Sequence, residues 1–99
     1  MFPQDARRVA GFQLRRVQQG LEPNDWKPMT TIGVGVNEIR VHTDLEHRVL
    51  YVVKFTEGIY VLHAFEKRTR KTPKRDTDLA RDRFRALIER RRSKISNAR

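Results

Sequence analysis

The sequence VNEIRVHTDLEHRVLYVVKFTEGIYVLHAFE, residues 36–66, determines the predicted fold, because it contains three β-type runs joined by short polar turns. Residues 36–43 alternate between apolar and polar side chains, whereas residues 47–55 and 59–66 are apolar at most positions. Near-continuous apolar runs are typical of strands that are covered on both faces. Because short connections join neighbouring antiparallel strands, the pattern predicts a meander with residues 47–55 as the central strand.

The two turns also predict a register for this meander. Turns centred on positions 45 and 57 place Arg40 opposite Leu50, with Arg48 on the same face of the sheet. They place Val49 opposite Phe65 on the other face, which we expect a helix to cover. The face with the two arginines is then apolar in its middle and basic at one end.

Helical patterns flank the predicted strands. Apolar residues recur at spacings of three and four from Ala6 to Leu21, which predicts a helix over about residues 3–19. A second apolar stripe predicts a helix over about residues 76–95, with Asp76 or Asp78 as its N-cap. Glycine and proline interrupt residues 20–35, so this segment is predicted to be a loop.

These elements predict one α+β domain over residues 1–99. It contains an N-terminal helix, an antiparallel sheet of three to four strands and a C-terminal helix. The predicted strands are residues 36–43, 47–55 and 59–66, and a basic loop over residues 67–75 joins the last strand to the second helix. A chain of 99 residues is near the common size of a single domain.

Positive charge is concentrated after the predicted sheet. Residues 1–64 contain 8 basic and 7 acidic side chains, whereas residues 65–99 contain 14 basic and 5 acidic ones. Residues 67–75 (KRTRKTPKR) contain six basic side chains and no acid. A dense cationic loop on a rigid support indicates contact with a polyanion, of which nucleic acid is the commonest. The alternative is a solvated basic surface in which the arginines at 90–92 oppose a helix dipole.

The amino-acid composition argues against several classes of protein. The chain has no cysteine, which excludes disulfides and thiolate metal sites. It has no apolar run near the roughly 20 residues of a membrane span and no apolar signal segment at its start. We therefore expect a cytoplasmic protein without a membrane partner. The three histidines lack metal-ligand spacing on one element, so we predict no metal site and no cofactor.

Four segments carry a resemblance to known proteins: GLEPNDWKPM (20–29), VNEIRV (36–41), HRVLYVVKF (47–55) and, above all, YVLHAFEKRTRKTPKRDTDLA (60–80). Over nearly its whole length the chain resembles the RelE/ParE toxin superfamily, and in particular the phage-derived HigB-like host-inhibition toxins. The resemblance implies a RelE-like fold and a toxin of a type II toxin–antitoxin system. It also implies a helix-turn-helix (HigA-like) antitoxin that binds the toxin and represses the shared operon.

Relatives in this superfamily act in two ways. Many are mRNA interferases that cleave messenger RNA on the ribosome, and the resemblance indicates this endoribonuclease activity, with mRNA and ribosome as partners. ParE-like relatives instead poison DNA gyrase without being enzymes. A non-toxic nucleic-acid-binding module is a third alternative.

The resemblance also indicates site residues. Arg48 in HRVLY matches the recurring active-site arginine of the second strand, with His47 in place of a tyrosine, and Arg40 matches a basic residue of the preceding strand. Lys67 and Lys71, in the basic cluster after the third strand, complete the predicted catalytic set. The remaining basic residues of that cluster are predicted to bind nucleic acid: Arg68, Arg70, Lys74 and Arg75. For Arg40 and Arg48 the alternative is surface ion pairing with Glu38, Glu46 or Glu66.

Metal-independent RNA cleavage needs a base, an acid and cations that hold the phosphate. Relatives often place a tyrosine or a histidine near the end of the chain, but the last 35 residues here contain neither. Lys67 or Lys71, with a pKa lowered by surrounding cations, is a candidate base, and Tyr60 and the histidines are the other options. We expect His63 to be a hydrogen-bonded core residue. His42 and His47 lie near a turn and are expected to be solvated.

Overall fold

The computed structural model describes residues 2–55 and 58–97 and contains two helices and one sheet of four strands. In chain order the elements are α1 (Gln4–Gln18), β1 (Trp26–Pro28), β2 (Val36–His42), β3 (Glu46–Phe55), β4 (Gly58–Glu66) and α2 (Lys74–Asn97). The strands are antiparallel and lie in the order β1-β2-β3-β4. The predicted α+β class and RelE-like arrangement are confirmed, with β3 at the centre of the meander. In the part of the chain that is described, neither helix has an apolar stretch long enough to cross a bilayer.

The first strand lies inside the segment that was predicted to be a loop. In β1, Trp26 pairs with Ile39 and Lys27 pairs with Glu38 of β2. Pro28 ends the strand at the edge of the sheet, where its missing N–H costs no ladder hydrogen bond. The prediction of an irregular connector over residues 20–35 was therefore wrong for these three residues.

The observed register differs from the predicted one in two ways. Arg40 lies opposite Arg48 rather than Leu50, a shift of two residues that leaves both arginines on one face, as predicted. Phe65 lies opposite Arg48 rather than Val49, so it is on the opposite face from the one predicted. The physical reason is a register irregularity between Leu50, which lies opposite His63, and Tyr51, which lies opposite Val61, so the later residues of β4 are displaced by one position.

The helices cover opposite faces of the sheet, whereas the sequence predicted helix packing on one face. Under α1, Ala6 and Ala10 pack against a buried cluster that includes Ile39, Val49 and Tyr51. The core under α2 contains the other set of buried apolar residues: Ile32, Val36, Leu50, Val52, Leu62, Phe65, Ala80 and Leu87. Both faces of the middle of β3 are therefore buried, which explains the unbroken apolar run from Val49 to Val52.

The second helix begins earlier than predicted, at Lys74. Asp76 is not its N-cap; it lies in the first turn, is buried, and its carboxylate is 2.7 Å from Nε2 of His63 on β4. His63 is thus the hydrogen-bonded interior histidine that the sequence predicted. The basic loop consequently ends at residue 73, and Lys74 and Arg75 belong to the helix.

Candidate functional site

A cluster of charged side chains lies on the α2 face of the sheet, at the end where β2 turns into β3. Cross-strand pairing puts Arg40 opposite Arg48. In the next row of side chains on the same face, His42 lies opposite Glu46. The N–H of Lys67 donates to the carbonyl of Glu46 at 2.8 Å, which continues this second row beyond the end of β4. We refer to the residues of these rows and their charged neighbours as the sheet-end cluster: Asp25, Lys27, Glu38, Arg40, His42, Glu46, Arg48 and Lys67.

Glu38 is the buried centre of the sheet-end cluster. Its side chain has no exposed surface, and its Oε1 is 3.5 Å from Nε of Arg40 and 3.7 Å from Nε of Arg48. Within the described residues neither carboxylate oxygen of Glu38 has a hydrogen-bond partner. Because a buried carboxylate is costly without nearby positive charge, these two ion pairs explain how Glu38 can be buried.

The two arginines differ in exposure and in their other contacts. Arg48 is largely buried, and its Nη1 donates to Oε1 of Glu46 at 3.1 Å and to the carbonyl of His47 at 3.0 Å. The Arg40 side chain is 34% exposed, and its Nη1 is 3.8 Å from Asp25. Of the two arginines, Arg40 is therefore the one whose side chain is more accessible to solvent and to a phosphate group.

Lys67 belongs electrostatically to the same cluster. Burial lowers the pKa of its ammonium group, and the positive charge of Arg48 lowers that pKa further. Lys27 and Arg40 act in the same direction, and Glu38 opposes them. Three of the four residues predicted to be catalytic, Arg40, Arg48 and Lys67, are thus brought together, and the lysine releases its proton more readily than an isolated one.

His42, which the sequence analysis named only among several options for the base, is a member of the cluster. It was expected to be solvated, and its side chain is indeed 51% exposed, but both ring nitrogens are held by carboxylates. Nε2 is 2.6 Å from Asp25 and Nδ1 is 2.8 Å from Glu46. The hydrogen bond with Asp25, and then that with Glu46, raises the pKa of His42, while the bond with His42 is the main cause that lowers the pKa of Glu46.

A signal for His42 is present in the sequence. The alternation in β2 puts it on the same face as Arg40, and Glu46 follows it four residues later across a tight turn. Asp25, by contrast, comes from the segment that was predicted to be a loop.

The other basic residues predicted for the site lie on different surfaces. Lys71 and Lys74 line a separate open cavity of about 670 Å³ between the basic loop and the start of α2. Arg68 pairs with Glu66 and lines a groove on the α1 face of β4. Arg70 and Arg75 are exposed. The predicted set is therefore divided between the sheet-end cluster, the loop cavity, the α1 face and, for Arg70 and Arg75, the exposed surface.

The ion-pairing alternative for the two arginines is also part of the observed geometry. Arg40 and Arg48 do pair with Glu38, and Arg48 pairs with Glu46, but Glu38 is buried rather than at the surface. Glu66 pairs with Arg68 instead.

His47 is not part of the cluster. It was expected to be solvated, but it is 1% exposed and its ring packs on Phe2 at a centroid distance of 4.5 Å. In the described part of the chain, no three His, Asp or Glu side chains are arranged to hold a metal ion.

A family model described as "Phage derived protein Gp49-like (DUF891)" matches residues 1–85. Comparisons with curated proteins and with solved structures gave no match. The family match includes every residue of the sheet-end cluster and the whole basic loop. The chain therefore belongs to the Gp49-like family of phage-derived proteins, which is related to the RelE-like toxins.

Proposed function

We propose that this protein is the toxin of a type II toxin–antitoxin system of the HigB-like kind and that it cleaves messenger RNA without a metal ion. The observation that carries the proposal is the juxtaposition of Arg40 and Arg48 with Lys67, whose pKa is lowered. Paired guanidinium groups bind a phosphodiester, and a lysine that is easily deprotonated beside them serves as a base.

The proposed reaction is an intramolecular transesterification. Neutral Lys67 accepts the proton of the ribose 2′-hydroxyl, and the 2′-oxygen attacks the adjacent phosphorus. The bond from phosphorus to the 5′-oxygen breaks, leaving a 2′,3′-cyclic phosphate and a free 5′-hydroxyl. Arg40 and Arg48 stabilise the extra negative charge of the pentavalent transition state, which is where a preorganised cation contributes most.

His42 is the proposed acid. The two carboxylates that raise its pKa keep the imidazolium form populated toward neutral pH. A proton on Nε2 or Nδ1 can pass to the departing 5′-oxygen once a substrate displaces Asp25 or Glu46 from the ring. His42 would thus supply the proton donor that the last 35 residues, which contain no tyrosine or histidine, do not provide.

The basic loop and the loop cavity are proposed to hold the RNA strand away from the reacting phosphate. Lys71 and Lys74 line the cavity. Arg70 and Arg75, which are adjacent to these lysines in the sequence, are exposed. These residues would supply salt-sensitive affinity rather than chemistry. The proposed partners are the ribosome with its translated message in the cytoplasm, and a helix-turn-helix antitoxin.

The test is cleavage of a ribosome-bound message by purified protein in the presence of EDTA, with mapping of the ends. We expect cuts that carry 2′,3′-cyclic phosphate, and their loss in the variant Lys67→Arg, which keeps the charge but cannot act as a base near neutral pH. The matched control is Arg85→Lys, a change that also conserves charge at an exposed position of α2, and it should cleave normally. Growth arrest with intact message would refute the proposal, and DNA breaks in that case would indicate the gyrase-directed alternative.

A further inference from the structure

The α1 face of the sheet is only partly covered, and the uncovered part is an apolar groove beside β4. The helix packs mainly on β2, over Ile39 and Val41, and makes fewer contacts with β4. The groove has a volume of about 610 Å³. Among the residues that line it are Arg7, Gly11, Leu14, Val49, Val61 and Ala64.

The width of the sheet explains why the groove exists. Neighbouring strands lie about 4.8 Å apart, so the two outer strands of four are about 14 Å apart, whereas a helix with its side chains is about 10 Å across. One helix that packs mainly on β2 therefore covers β4 only in part. Val61, on this edge strand, is 51% exposed, which is high for a valine beside a hydrophobic cluster.

Gly11 leaves room on α1 for close approach by another chain. It lies in the middle of α1, where glycine is among the least favourable residues. A Cβ built at Gly11 would meet no atom within 4 Å, so packing within the described chain does not require glycine at this position. Gly11 lines the groove, and the absence of a side chain there lets a second backbone come close to α1.

The positive charge around the groove indicates which kind of partner it would bind. The groove is flanked by Arg7 and by Arg68, although Glu66, which also lines it, pairs with Nε of Arg68. The outer side of α1 adds the exposed residues Arg8 and Arg15. A second copy of this chain would bring a further net charge of +10 to a basic rim, which disfavours self-association.

We propose that the groove binds an amphipathic helix of a partner protein, with apolar side chains on Val61 and acidic side chains toward Arg7 and Arg68. Identification of this partner as the antitoxin rests on the proposed function. The groove lies on the opposite face of the sheet from the Arg40–Arg48 pair, so a helix bound there would leave the phosphate-binding residues open.

The proposal is tested with two synthetic helical peptides that share one leucine stripe and carry either glutamate or lysine beside it. Affinity for the full chain is measured by fluorescence anisotropy at low and at physiological salt. Two groove variants are compared with the wild type: Val61→Glu, which puts a like charge against the acidic peptide, and Gly11→Leu, which fills the groove. The matched control is Val34→Glu, because Val34 is exposed on a loop outside the groove.

We expect the acidic peptide to bind, and each groove variant to weaken binding by at least about tenfold, while Val34→Glu leaves it nearly unchanged. Gly11→Leu should at the same time raise the midpoint of urea denaturation, because leucine is the better helix former. If Gly11→Leu loses affinity for the peptide while it gains stability, the lost affinity cannot be caused by misfolding.

Four outcomes would overturn the inference: no binding of the acidic peptide, equal binding of the lysine peptide, equal weakening by Val34→Glu, or dimerisation of the protein alone through this groove. None of these measurements involves RNA. A protein that binds the acidic peptide but leaves messages intact would therefore disprove the ribonuclease proposal and keep this one.

Discussion

Arg40 and Arg48 lie directly opposite each other on neighbouring antiparallel strands, and the Nε atom of each is within 3.7 Å of the same carboxylate oxygen of Glu38. Like charges at opposed positions normally destabilise a strand pair. Here the buried carboxylate offsets their repulsion, and the two guanidinium groups compensate for its loss of hydration. Fold stability and the proposed phosphate site therefore depend on the same three charges.

The variant Glu38→Gln tests this dependence. It removes the negative charge between two arginines, of which Arg48 is largely buried, so we expect the free energy of unfolding to fall by about 3 kcal/mol. Equilibrium urea denaturation measures the change. Glu46→Gln is the control, because Glu46 is 42% exposed and should cost less than about 1 kcal/mol. Equal losses in the two variants would show that burial of Glu38 has no special effect.

The cleavage rate should depend on Arg40 more strongly than the stability of the fold does. Arg40→Ala removes one preorganised cation from the transition state, and we expect the single-turnover rate to fall by about 10²-fold. Arg40→Lys should recover only part of the rate, because an ammonium group cannot contact two phosphate oxygens in the planar geometry of a guanidinium. Arg85→Ala serves as the control, since Arg85 is exposed on α2 and pairs with Asp82. A full rate with Arg40→Ala would remove this residue from the site.

The pH dependence of cleavage should have two limbs. The rate should rise with pH as Lys67 loses its proton, at a lower pH than for an ordinary lysine because its pKa is lowered. The rate should level off as His42, whose pKa is raised from 6.5, begins to lose the proton that it donates, and it should fall at pH values above the pKa of Lys67. In His42→Asn the rate should be lower and should only rise with pH. An unchanged bell-shaped profile in that variant would exclude His42 as the acid.

His42 should also make stability depend on pH. Its pKa in the folded protein is raised above the ordinary value of 6.5, so its contribution is fully present below that value and is lost as pH rises through the folded pKa. The pKa of Glu46 is lowered from 4.5, so the pair weakens again at acid pH below that value. Because His42 is half-exposed, we expect a contribution below about 1 kcal/mol. The stability difference between wild type and His42→Asn, measured at about pH 5.5 and about pH 8.5, should shrink at the higher pH.

Packing of the loop before β2 against α2 gives a further prediction. A Cβ on Gly33 would lie 2.3 Å and 2.5 Å from two ring carbons of Phe84, which is too close for any packing without movement. We expect Gly33→Ala to lower the free energy of unfolding by about 1–3 kcal/mol. Adding Phe84→Leu should restore part of the loss. Gly11→Ala, on the open side of α1, should instead stabilise the fold by up to about 1 kcal/mol.

Residues 36–66 were sufficient to predict the antiparallel meander, because the apolar runs and tight turns leave few other arrangements, and the helical patterns on either side of them completed the α+β prediction. The shared face of Arg40 and Arg48 was also predictable, since a register shift of two residues preserves the face. The face of Phe65 was not predictable. An irregularity in β4 moves it by one position, and a continuous apolar run carries no periodicity that would reveal such a shift.

Part of the site depends on contacts that no local pattern encodes. The short strand β1 forms because Trp26 and Lys27 find partners on β2, and Pro28 gives the opposite local signal. Burial of Glu38 contradicts the usual rule that the charged positions of an alternating strand face water. It becomes possible only where β3 supplies Arg48 beside Arg40.

The basic loop is fixed at both of its ends. The N–H of Lys67 is bonded to Glu46 on β3, and Asp76, in the first turn of α2, holds His63 on β4. Between these two anchors the hydroxyl of Thr69 donates to the carbonyl of Lys71 at 2.6 Å, which restricts the turn further. The conformational entropy of these backbone atoms is therefore lost when the protein folds, and a bound polyanion need not order them again.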